Sequence, residues 1–172
     1  MAIYQLGDRT PKISELAFVH PMATIIGDVT IGDYSTIWPG AVLRGDYGKI
    51  VVGERTSIQD GSVIHATAEL PTIIGSNCTI GHIVHLEGCQ IEDDSLVGSG
   101  SVVLHRAVVS SFALVGANAV VVADTVVPSR ALALGIPAKI YPDRVDEFLI
   151  RDAVEKYVEN GLRYKSELKQ IG

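Results

Sequence analysis

Cysteine is scarce in this sequence. Only Cys78 and Cys89 occur, with no CxxC spacing, so neither a disulfide framework nor a cysteine-built zinc site is expected. Aromatic residues make up 6% of the 172 residues while hydrophobic residues reach 47%, so a core must be assembled from aliphatic and small side chains. Excess positive charge is lacking too. Lys and Arg number 14 against 20 Asp and Glu, a formal charge of -6, which argues against nucleic acid or an anionic membrane surface as the main partner. The most apolar run, FALVGANAVVVADTVV, is broken by Asn118 and Asp124 and does not suit a membrane span. The opening MAIYQLGDRTPKI carries no apolar stretch of the secretory kind. The expectation is one domain, residues 1–172, of a soluble cytoplasmic protein.

What the chain has in abundance is a repeat. Aliphatic residues recur every six positions in triplets: Ile31, Ile37, Leu43; Val52, Ile58, Ile64; Ile74, Ile80, Leu86; Ile91, Val97, Val103; Val109, Val115, Val121. Two positions before most of them stands a small side chain, such as Ser35, Thr56, Cys78, Ser95 or Ala113. Residues i and i−2 share one face of a strand, so both point inward. Six residues is too long a period for a helical stripe. It suits three short strands per coil, with a turn at each corner of a triangular prism and coils stacked about 4.8 Å apart. The expected fold is therefore mostly β, a parallel β-helix over about residues 12–127. Two insertions, RGDYGK (44–49) and HATAEL (65–70), are expected as loops extruded from it. From about 143 to 170 the chain looks helical, with Val154, Tyr157, Val158 and Leu162 at three- and four-residue spacing for packing on the prism.

Stacking the coils puts polar residues in register. Arg44, His65 and Glu87 each follow the third aliphatic residue of a triplet and form one outward column. Asp60 and His82 form another, with Gln59 beside it. His85 falls in a column with Val42, Val63 and Val102. His20 and His105 read as surface residues, and Cys78 and Cys89 as inert core thiols. His82 and Glu87 are five residues apart, roughly 16 Å of extended chain. Zinc holds its nitrogen and oxygen ligands at about 2.0–2.2 Å, so these two share an ion only if prisms pack side by side. A closed ring of such contacts makes a cyclic oligomer, and the threefold prism favours a trimer.

The run WPGAVLRGDYGKIVVGERTSIQDGSVIHA followed by IGSNCTIGHIVHLEGC resembles the gamma-class carbonic anhydrase family. The likeness covers about residues 12–140, with a comparable C-terminal helix beyond. It implies a left-handed β-helix, an exception to right-handed crossover. It also implies a homotrimer with zinc (iron or cobalt as alternatives) between subunits, and interconversion of CO2 and bicarbonate. Matched residue by residue, His65 and His82 fall on zinc ligands from different subunits, and Arg44 and Asp46 on an interface pair. Gln59 and Asp60 match the polar residues beside the reacting water. Family members usually read GHxxxxHGC; here Glu87 stands at the third histidine, and His85, two residues earlier, is the alternative third ligand. Glu69, Tyr47 and Tyr164 are candidates for a proton relay. Competing functions on the same scaffold are coenzyme A-dependent acyl transfer with a histidine base, thioester hydrolysis, and a non-enzymatic, metal-stapled trimeric scaffold.

Overall fold

The computed structural model describes residues 2–172. The chain winds as a left-handed parallel β-helix of hexapeptide repeats, closed by one C-terminal helix. One face of the prism is an eight-stranded sheet that runs from Phe18–Val19 through Thr36–Ile37, Ser57–Ile58, Thr79–Ile80, Leu96–Val97 and Leu114–Val115 to Leu132–Leu134 and Lys139–Tyr141. The other two faces join into one twelve-stranded sheet, because the long strands Thr24–Ile31 and Val42–Val52 continue round an edge. All ladders are parallel except the last, Leu132–Leu134 against Lys139–Tyr141.

The repeat explains the interior. Ile37, Ile58, Ile80, Val97 and Val115 stack as a fully buried column, and Leu43, Ile64, Leu86, Val103 and Val121 form another. The small inward residues include hydroxyls that need partners when buried. Ser35 donates to the Gly53 carbonyl at 2.6 Å, Thr56 to Gly75 at 2.8 Å and Ser62 to Gly81 at 2.8 Å. Each hydroxyl thus ties its coil to the next.

Several boundaries differ from expectation. Ala2–Tyr4 already pairs with Thr24–Ile26, and Leu132–Leu134 adds a strand beyond residue 127. The segment 44–49 is not an extruded loop. It lies within the single strand Val42–Val52, where the register on Thr24–Ile31 jumps from Gly27↔Gly45 to Val29↔Ile50, so its extra residues bulge. The segment 65–70 does leave the ladder after His65, and turns on a Thr67–Leu70 hydrogen-bond pair.

The helix spans Glu147–Glu167, and Asp146 caps it by accepting from the Phe148 amide. It packs along the eight-stranded face. Ile150, Val154 and Gly161 are its buried residues, while Leu162, expected on the packed stripe, is 51% exposed. Gly161 takes the inward place because a Cβ there would lie 2.5 Å from Thr36 Cγ2. Tyr164 and Tyr157 stand edge-on to Trp38, with centroids 5.0 and 6.1 Å away. No helix among the described residues is long and apolar enough to cross a membrane.

Candidate metal centre

Strands Val42–Val52, Val63–His65 and Glu87-bearing His85–Glu87 lie side by side, in the order read from the hexads. His65 is the register partner of both Arg44 and Glu87. Its imidazole is largely enclosed and has carboxylates on both nitrogens. Nδ1 lies 2.7 Å from Glu87 Oε1, and Nε2 lies 2.9 Å from Asp46 Oδ1. Arg44 pairs with Asp46 within the same chain, because residues i and i+2 share a strand face.

Partial burial pushes the Asp46 carboxyl up, but hydrogen bonds from His65 and Arg44 outweigh it and hold the group below its ordinary range. For Glu87 the hydrogen bond with His65 dominates and lowers its pKa against burial; the charges of His105 and His85 act in the same direction. This carboxylate is thus kept ionised, the form that ligates metal.

The second column is separate. Asp60 Oδ2 lies 2.9 Å from His82 Nδ1, and both side chains are about half exposed at a prism edge. Holding Nδ1 leaves Nε2 of His82 directed away from its own carboxylate, the arrangement common to metal-ligating histidines. Gln59 does not join Asp60 there. It is buried beneath the helix beside Tyr157, whose hydroxyl is pushed up mainly by burial. Tyr164 belongs to the Phe18–Trp38 aromatic cluster, whereas Tyr47 and Glu69 are exposed on the two insertions. His85 sits opposite Val63 and Val102, as its column requires.

His105 was expected only as a surface residue. Its Nε2 lies 3.8 Å from Glu87 Oε2, and His85 Nε2 lies 3.5 Å from the same oxygen.

Among the described residues no group of three His, Cys, Asp or Glu side chains in one chain is placed to hold a metal. The donors nevertheless fit half a site. His65 and Glu87 offer one nitrogen and one oxygen 2.7 Å apart, somewhat closer than the roughly 3.4 Å between two ligands on a tetrahedral zinc. His82 offers the complementary half on another edge. Two imidazoles and a carboxylate form a donor set that catalytic zinc accepts.

Comparison with known proteins places the chain among relatives. The model of the family described as Bacterial transferase hexapeptide (six repeats) matches residues 10–45 and 71–105. A carbonic anhydrase of Geobacillus kaustophilus is 40% identical over 170 residues, covering 98% of this chain and 93% of that protein. Gamma carbonic anhydrase 2, mitochondrial, of Arabidopsis thaliana is 39% identical across 95% of this chain, which spans only 59% of that relative's length. A crystal structure of a proposed acetyltransferase from Bacillus cereus superposes with a TM-score of 0.95 at 36% identity, covering 97% of this chain and 98% of that one. The fold is therefore shared with proteins named for a different chemistry. Identity of about 40% over nearly the whole chain makes this protein a member of the gamma-class carbonic anhydrase family.

Proposed function

We propose that this protein hydrates CO2 reversibly to bicarbonate at metal sites between the subunits of a homotrimer. The observation that carries the reading is the His65–Glu87 contact on one edge, with His82 projecting from another. In this reading His65 and Glu87 of one subunit and His82 of the next would hold a zinc ion, with iron or cobalt as alternatives. Zinc so held supplies a Lewis acid that lowers the pKa of water from 15.7 to about 7.

The chain's own residues do the rest. Asp60 orients the His82 ring through Nδ1. His65 would hold the ion through one ring nitrogen, with the carboxylate on the other nitrogen keeping the ring oriented. Asp46 stays paired with Arg44 throughout, so no partly buried carboxylate is left uncompensated. Asp60, half exposed at the site's rim, orients the water that attacks CO2. Gln59, buried beneath the helix, hydrogen-bonds Tyr157 instead. Protons leave through the exposed insertions, where Tyr47 and Glu69 stand. Tyr164, packed on Trp38, is the weakest relay candidate.

Stopped-flow measurement of initial CO2 hydration, on protein with verified zinc content, tests this. A rate equal to buffer sinks it. The coenzyme A-dependent reading draws on the scaffold shared with the Bacillus cereus protein; metal-free protein that binds coenzyme A would favour it. Chelation that dissolves the trimer of a protein with no turnover would favour the scaffold reading.

A further inference from the structure

Glu87 sits between unlike surroundings. Oε1 meets His65 at 2.7 Å. Oε2 is flanked by His85 Nε2 at 3.5 Å and His105 Nε2 at 3.8 Å, so two ring nitrogens face it from just beyond ordinary hydrogen-bond length. His85 approaches along the same strand, two residues away on the same face. His105 comes from the next coil. Its ring reaches the carboxylate over Gly88, where a Cβ would lie 2.9 Å from His105 Cδ2. Any side chain at 88 would displace the ring. The combination of Glu87, Gly88 and His105 therefore forms one unit across two coils.

We propose that His105, together with His85, is a positioning residue that holds the Glu87 carboxylate in the orientation a metal ion requires. The inference rests on the interface metal site proposed above. A carboxylate in place of a rigid imidazole has an extra rotatable bond and two equivalent oxygens, so its orientation needs outside support. Groups that orient a ligand in this way commonly account for 10–100-fold in metal affinity.

The test is zinc affinity by competition with a chromophoric chelator, read with zinc stoichiometry and trimer mass in the same samples. His105→Ala should bind zinc roughly 10–100-fold more weakly while still reaching one zinc per chain at saturation. His105→Gln, whose amide N–H can face the carboxylate, should recover most of the loss. In a Glu87→His background the His105→Ala change should have no effect, since no carboxylate remains to be oriented. Unchanged affinity in His105→Ala overturns the proposal. So does an equal loss in the Glu87→His background, which would mark a general structural effect. Loss of a full equivalent of zinc would instead make His105 a ligand in its own right, and also overturns it. Zinc uptake is read without turnover, so inactivity towards CO2 removes the catalytic reading alone, whereas a wild-type chain that takes up no zinc removes both.

Discussion

His65 and Glu87 are register partners on adjacent coils, and their side chains meet at 2.7 Å from Nδ1 to Oε1. Coils about 4.8 Å apart let two such side chains converge on one point in front of the sheet. His85 is on the same strand as Glu87 but opposite Val63 and Val102, off that point. Glu87→Ala should therefore strip most of the zinc from the purified protein. His85→Ala should keep one zinc per chain at saturation, with its loss confined to affinity. Glu87→His should keep the metal. Metal analysis checks all three, and the reverse ranking of Glu87→Ala and His85→Ala would mean that the register argument names the wrong ligand.

Gly161 sets helix propensity against packing. Replacing it with Ala favours the helix by about 1 kcal/mol. The new Cβ, however, would lie 2.5 Å from Thr36 Cγ2, closer than real Cβ contacts come. Thr36 is buried and hydrogen-bonded to Ser57, so it cannot swing away freely. Packing should win: Gly161→Ala lowers the thermal midpoint, and adding Thr36→Ser, which removes Cγ2 and keeps the hydroxyl, restores it. A single variant more stable than the parent would show that the helix can lift off the face without cost.

Burial pushes both Cys78 and Cys89 thiols up to about 12. Thiolate is the reactive form. At pH 8 only about one thiol in ten thousand would be ionised, even if reagent could reach it. Folded protein should thus resist a thiol-specific reagent at pH 8 and label at the rate at which it unfolds. Rapid labelling of either cysteine without unfolding would contradict this.

Ile83, next to His82, has φ +58° and is 72% exposed. Its corner counterparts Gly40, Gly61 and Gly100 are glycines, also at positive φ. A β-branched residue is strained there, by roughly 1–3 kcal/mol. A strained, exposed isoleucine beside a proposed shared ligand suits a place in the subunit contact. Ile83→Asn, which tolerates this backbone, should raise stability towards urea at low protein concentration and weaken the trimer. Sedimentation over a dilution series measures the second effect; an unchanged trimer would remove Ile83 from the contact.

The columns were legible because side-chain direction in a solenoid repeats with each coil. The hexad period alone predicts Arg44 and Glu87 beside His65, and Asp60 beside His82, and both groupings are present. What the period does not carry is anything off the register. His105 is the register counterpart of Gly88 rather than of Glu87, and it reaches that carboxylate diagonally because Gly88 leaves room for its ring. Gln59 is covered because the helix docks over it, and a docking position has no periodic signature. The Arg44–Asp46 contact within one chain follows from strand alternation, residues i and i+2 sharing a face, rather than from the hexad. The 44–49 segment stays in a strand because its flanks, Val42–Gly45 and Ile50–Val52, both pair with Thr24–Ile31 and leave only a bulge between them.

The central claim is that each metal is shared between two chains, and complementation tests it most directly. His65→Ala and His82→Ala should each purify without zinc as single variants. In a mixed trimer, one contact brings the intact His65 and Glu87 of one chain to the intact His82 of the other. Coexpressed variants carrying different tags, purified through both, should therefore recover one zinc per trimer. Mixed trimers of verified composition that hold no zinc would contradict the account.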